Sequence, residues 1–547
     1  MQAVNEETFD VIVIGGGPGG STASTLIAMQ GHKVLLLESE RFPRYQIGES
    51  LLPATIFGIL PMLGVVEDVK AAGFYPKPGA TLLWGSDPEP WSISFADTMS
   101  IDKRVGHSYQ VDRARFDDVL LKNAAKKGVD VREEHKVTGL LREGGRVVGV
   151  TYRDADGNEQ SVRARYVVDA GGHRSNLYKE VGERVFSKFF ENIALFGYYT
   201  GGKRLPEPHK GDILVVAFDK GWFWYIPLSD TLTSVGAVFS SHLAYKLKNG
   251  HEETLQEFID ECPMIKEYLG EAERVTEGIY GEVRVRKDYS YCNTRFWEPG
   301  LALIGDVACF IDPILSTGVH LTTYAALQVA RSINTCLRNN ADDPNNAVDE
   351  QQCFEEFETR YRAEYARFYQ FLVAFYDTNR NKDSYFWTAR NMLNSKERGN
   401  GAFVKLISGV ADGMLHDNAA GFFDSRADTG MRVQSWMSAM QGDVQHDRVE
   451  TTVDDYSDSY CMIPGFETVS MQSTGLVPSA DGFHWQANAM NGEMKGTDGA
   501  HSNGTNGNPS NGSNGHHTDG HHTNGHNVDA DAQPVAQPDA EELELTL

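Results

Sequence analysis

The chain has 547 residues, with 50 Lys+Arg against 76 Asp+Glu and a formal net charge of −26. That length exceeds one hydrophobic core and implies two or three domains, while 41% hydrophobic and 10% aromatic residues exclude wholesale disorder. The acidity argues against nucleic acid as a partner, because phosphate binding needs concentrated Lys and Arg. Six cysteines, at 262, 292, 309, 336, 353 and 461, show neither CxxC pairs nor regular spacing. They predict no disulfide framework and no zinc site, and they suit a reducing cytoplasm. The acidic start MQAVNEETFD does not read as a signal peptide, and no run approaches about 18–20 apolar residues, so no membrane span is expected.

In chain order, residues 9–14 form a β-branched run, followed by glycines, a helical pattern to residue 29 and a second strand-like run at 33–38. This β-α-β spacing is that of a dinucleotide fold. Gly15, Gly17 and Gly20 supply GxGxxG, with Pro18 and Ser21 opening the helix. The first glycine permits the turn, the second lets backbone approach a pyrophosphate, and the third lets helix pack on strand. Glu38, ending the second strand, stands where a carboxylate accepts from ribose hydroxyls. Residues 116–127 read as a helix stopped by Gly128, and Asp156-Gly157 as a hairpin turn. The apolar, β-rich segments 189–200, 212–228 and 233–240 suggest a sheet inserted between parts of the nucleotide domain. Helical periods return at 319–337 and 350–376, and 380–485 reads as a mixed, mostly helical extension. Residues 487–547, rich in Asn, Gly, Ser and His with nine acids and one lysine, read as a disordered tail. Its histidines are not expected to form a metal site.

Three segments shift the expected cofactor from NAD to FAD. Arg113, Phe116 and Asp117 in VDRARFDDVLL, Asp169 in VVDAGGHRS, and Asp306 in LIGDVACFIDPILSTGVHL resemble the FAD-contacting segments of p-hydroxybenzoate-hydroxylase-like flavoproteins. Each alone reads equally well as a strand-end turn. The resemblance implies an α/β, glutathione-reductase-like FAD-binding fold, with a helix from Gly318 aiming amides at the flavin. Its expected organisation is an FAD-binding domain over 1–330 carrying an inserted substrate-side sheet (about 80–110 and 185–290). A helical C-terminal domain over 331–425 and an extension over 426–486 follow.

Residues 221–227, GWFWYIP, place Trp222 and Trp224 two apart on a strand, so both indoles face one side. From composition alone they read as core filler, and Lys77 in AGFYPKPGATLLWG reads as a surface charge. Together with the flavin segments, and with FPRYQIGESLLP at 42–53, they resemble flavin-dependent halogenases of the phenol type over about residues 8–425. That resemblance implies reduced FAD delivered by a separate flavin reductase, O2, and chloride held near the amides of Thr317 and Gly318. Hypochlorous acid would pass the two indoles to Lys77, which either hydrogen-bonds it or forms a chloramine. The tryptophan-acting members carry a glutamate just before Ser-Thr-Gly; here Leu315 precedes Ser316-Thr317-Gly318, which argues against free tryptophan. The implied substrate is an electron-rich phenol, tyrosyl or other, either free or tethered to a peptidyl carrier protein. The main rival is an FAD-dependent aromatic hydroxylase, which shares the glycine loop, Asp169 and Asp306 but has no need of halide. Geranylgeranyl-reductase-like saturases share the fold but give no reason for WxWxIP.

Overall fold

The structure, a computed structural model, describes residues 7–84, 89–96, 106–338, 348–377 and 474–487. Two large sheets organise the chain. In the first, strand Thr8–Ile14 lies between Val34–Leu37 and Glu159–Asp169, with Asp130–Arg132 beyond the former and Leu301–Leu303 beyond the latter. All these neighbours are parallel, and Ile14, Leu37, Asp169 and Leu303 stand in register. Four carboxyl ends therefore meet along one rim, where open α/β sheets bind their ligands. The Asp156-Gly157 turn joins antiparallel strands Arg146–Arg153 and Glu159–Asp169.

The second sheet is mostly antiparallel and runs Cys309–Phe310, Arg284–Asn293, Arg184–Thr200, Leu232–Ser240, Gly221–Pro227, Ile213–Phe218, Gly79–Leu83, Trp91–Ser94. Its alternating residues serve two cores. Phe196, Val215, Trp222, Trp224 and Val238 face the main core, while Phe223, Tyr225, Leu214 and Val235 pack against helices His251–Asp260 and Pro263–Leu269. A separate ribbon pairs Tyr75–Lys77 with Ser108–Gln110 and sets Lys77 opposite Ser108.

Helix Pro18–Ala28 packs against the long helix Gly318–Arg338 so tightly that a Cβ on Gly19 would lie 2.5 Å from the Thr322 side chain. Helix Glu350–Asp377 covers the far side of Gly318–Arg338.

One sequence expectation is corrected. Within the extension read as mostly helical, the described part is a hairpin of Leu476–Pro478 with Trp485–Ala487. Trp485, 1% exposed, anchors it: its Nε1 donates to Ser332 Oγ at 2.9 Å and its backbone N to Thr335 Oγ1 at 2.8 Å. Three-residue strands are too short for periodicity to reveal. The other readings for 378–473, Cys461 and the Asn/Gly/His-rich tail fall outside the described residues. Among those described, five cysteines are free and buried, no helix is long and apolar enough to cross a membrane, and no group of His, Cys, Asp and Glu is arranged for a metal.

Candidate active site

The glycine turn is built by close approach. Gly15 has φ +94°, and a Cβ there would lie 2.6 Å from Ala170 O; a Cβ on Gly20 would lie 1.9 Å from Gly15 O. Ser21 Oγ donates to Gly16 O at 2.9 Å, closing the turn. Gly17 caps the helix without a side chain, and Pro18 opens it, so the first-turn amides and the positive helix end stay available to an anion. Glu38, read from the sequence as a ribose acceptor, first of all holds the turn: Oε2 accepts from Gly16 N at 2.6 Å and Oε1 from Glu40 N at 2.8 Å.

Asp169 follows the adjacent strand end. It accepts from Gly171 N at 2.9 Å and Ser175 Oγ at 2.5 Å, which presses the 170–171 turn against Gly15. Burial raises its carboxyl to about 6. Asp306, in the turn Gly305–Val307, is raised by burial, while Arg113, Arg184 and Arg286 pull it back.

Arg113 opens helix Arg113–Lys126, which Asp112 caps. Its Nε and Nη2 clamp Asp117 at 2.7 and 2.9 Å, and Nη1 donates to Ile47 O at 2.6 Å. Nη1 thus anchors the 42–53 loop while the other donors hold Asp117 on the same helix. Arg44, on that loop, shares Asp117 at 2.9 Å and lies 3.5 Å from the position of a Gly17 Cβ. This cation beside the cradle has no sequence signal beyond its place in the loop. The residues fit FAD: uncapped amides and Arg44 for the pyrophosphate, and Gly318 with nothing within 4 Å of its Cβ position.

The turn before Gly318 is fixed from within. Asp312 Oδ1 accepts from Ile314 N at 3.1 Å, and Ser316 adopts φ +58°, a left-handed conformation costing a non-glycine residue about 1–2 kcal/mol. Buried Thr317 then starts the helix, its carbonyl accepting from Leu321 N at 2.9 Å. Leu315 is buried and apolar.

Trp222 and Trp224 lie on one face of strand Gly221–Pro227, ring centroids 6.2 Å apart. Trp224 stands opposite Gly236, where a Cβ would lie 2.3 Å from the indole. Trp222, 2% exposed, donates from Nε1 to Tyr376 OH at 2.6 Å, and Tyr376 donates to Asp312 Oδ2 at 2.8 Å. This line joins the indoles to the turn that presents Thr317, through a tyrosine 154 positions away that sequence reasoning missed.

Lys77 is 2% exposed; its Nζ donates to Leu51 O at 3.1 Å and lies 5.4 Å from the Phe95 ring. Burial lowers its amine from 10.5 to about 7, opposed by Asp212. The 42–53 loop therefore touches Arg113 through Ile47 and Lys77 through Leu51.

A glycine cradle at the carboxyl ends of a parallel sheet, joined to a second sheet that carries an aromatic wall, is the fold of a dinucleotide-binding flavoprotein. Comparison narrows the class. The tryptophan halogenase family matches residues 10–104 and 96–455. The tryptophan 2-halogenase of Chondromyces crocatus is 33% identical over 416 residues, 74% of this chain and 76% of its own length. The flavin-dependent halogenase armH3 of Armillaria mellea is 31% identical over 382 residues, 66% of this chain and 74% of its own. The solved myxobacterial chondrochloren halogenase is 53% identical, with a TM-score of 0.68 over 88% of this chain and all of that one. The chain belongs to the flavin-dependent halogenases, and it is an FAD-dependent oxidoreductase.

Proposed function

We propose that the protein chlorinates an electron-rich phenolic carbon, using chloride, O2 and reduced FAD supplied by a separate flavin reductase. The observation that carries this reading is the buried amine of Lys77, held near neutrality in an aromatic setting. When bound and reduced, FAD supplies the activated oxygen that converts halide to hypohalous acid. Amides at Thr317 and Gly318 hold the halide at the positive end of helix Gly318–Arg338. Trp222 and Trp224 keep the arene from the isoalloxazine. Lys77 then either donates to hypochlorous acid or, as neutral amine, takes its chlorine and releases water. In both routes the arene carbon gains chlorine and loses its proton, and the oxidant's oxygen leaves as water. The amine positions and polarises the oxidant.

Leu315 supports a phenol, because an apolar side chain there gives no carboxylate to help a poor nucleophile. The name of the Chondromyces relative makes free tryptophan the second reading. The test is purified protein with FAD, a flavin reductase, NADH and chloride, offered free phenols, carrier-tethered phenols and tryptophan, with products read by isotope pattern. Chlorinated phenol from wild type and none from Lys77→Ala, with FAD still bound, is expected. Product at the wild-type level from Lys77→Ala removes the lysine from the mechanism. Oxygenated product formed without halide requirement favours the hydroxylase.

A further inference from the structure

With Leu315 in the turn, the carboxylate that acts on Lys77 comes from elsewhere. The loop ahead of strand Ile213–Phe218 is pressed onto the Lys77 ribbon: a Cβ on Gly211 would lie 1.9 Å from Pro76 O and 3.2 Å from Pro78 Cδ. Gln110 Nε2, from the partner strand of the ribbon, donates to Gly211 O at 3.1 Å. The next residue is Asp212, 1% exposed. Its Oδ2 accepts from Thr81 Oγ1 at 3.0 Å and pairs with His209 Nδ1 at 2.8 Å. Its Oδ1 is buried with no hydrogen-bond partner. A carboxylate oxygen left bare inside a protein points to a cation or a donor that it serves. His209, with 30% of its side chain exposed, joins this carboxylate to solvent.

We infer that Asp212 is the positioning residue that controls the proton on Lys77, and that His209 is the solvent end of this pair. The inference rests on the halogenase reading of Lys77. Asp212 is the charge that acts on the amine, and Lys77 in turn acts on Asp212. Glu49 on the 42–53 loop also has a bare oxygen, Oε2, but it is not among the charges that act on the amine. Its Oε1 accepts from Tyr198 OH at 2.8 Å, Lys210 pairs with Asp230 at 3.0 Å, and strands Ser108–Gln110 and Gly79–Leu83 are uncharged. If the chloramine route operates, the ammonium proton leaves to Asp212 and through His209 to water, freeing the lone pair. If hydrogen bonding operates, Asp212 keeps the ammonium charged.

The two routes need opposite forms of Lys77, yet both predict one direction. Removing the carboxylate charge lowers the amine's pKa, so the Lys77-dependent limb of the halogenation pH profile moves to lower pH. Asp212→Asn is expected to move it by about one pH unit, the effect of one nearby charge. His209→Ala, at a partly exposed position, weakens the carboxylate charge and moves the limb the same way by less. Competitive acetylation of Lys77 against exposed Lys70, read by peptide mass spectrometry across pH, assigns the limb to this amine. An unmoved limb and unmoved labelling in both variants, with Lys77→Ala inactive, overturns the role of Asp212 and leaves the halogenase reading standing. Full activity in Lys77→Ala overturns the lysine's part, and Asp212's with it. If Asp212→Asn does not fold, His209→Ala decides.

Discussion

Replacing Lys77 by methionine keeps a similar volume and removes the charge. In the folded chain the amine falls from 10.5 to about 7 through burial, a difference of about 5 kcal/mol between its charge states. Because the folded pKa is the lower one, the folded state binds fewer protons between pH 7 and 10.5, and stability rises with pH across that window. Below 7 the penalty is fully present. At pH 6 it amounts to about 5 kcal/mol, and at pH 9 to about 2. Methionine also forfeits the bond to Leu51 O, about 1 kcal/mol, and the contact with the Phe95 ring, up to about 1 kcal/mol. Lys77→Met should therefore be more stable than wild type by about 3 kcal/mol at pH 6 and close to equal at pH 9, while failing to halogenate. Urea unfolding of both proteins at the two pH values, at matched FAD, measures this. A variant equally destabilised at both would refute a neutral-range buried amine.

Tyr376→Phe leaves the Trp222 N–H unpaired and strips one donor from Asp312; a loss of about 2–4 kcal/mol and less chlorinated product per reduced FAD consumed are expected, read by unfolding and by product-to-NADH ratio. Gly17 and Gly20 should separate cofactor from fold. Gly17→Ala meets nothing nearer than Arg44 at 3.5 Å, so its midpoint of unfolding without FAD should be unchanged while FAD affinity falls. Gly20→Ala places a methyl 1.9 Å from Gly15 O, so both should fall, as flavin titration and unfolding will report. Trp485→Ala removes the anchor of the Leu476–Pro478 hairpin and should cost about 3–5 kcal/mol without changing the Lys77 pH profile.

Local pattern carried the glycine turn and the paired indoles, since each depends on neighbours within a few positions. A strand, three glycines and a helix must produce a cradle, and alternation by two must place Trp222 and Trp224 on one face. Glu38 was legible as a strand-end acid but not as the acceptor for Gly16, because that bond depends on the loop's final shape. Lys77 read as a surface charge on composition; its burial comes from Leu51, Phe95 and the 201–212 loop closing over a three-residue strand. Arg44, Asp312, Tyr376 and Asp212 were invisible for the same reason: each acquires its role from partners far along the chain.

Strand Gly221–Pro227 belongs to two packing units at once, its tryptophans in one and Phe223 and Tyr225 in the other. The face that carries the indoles is thereby packed apart from the face that keeps the sheet upright. Trimming an indole opens a hole in one core while the opposite residues still clasp their helices. The loss falls on the indole side of the sheet and spares the helix-bearing side, so the two faces of this strand are free to vary separately.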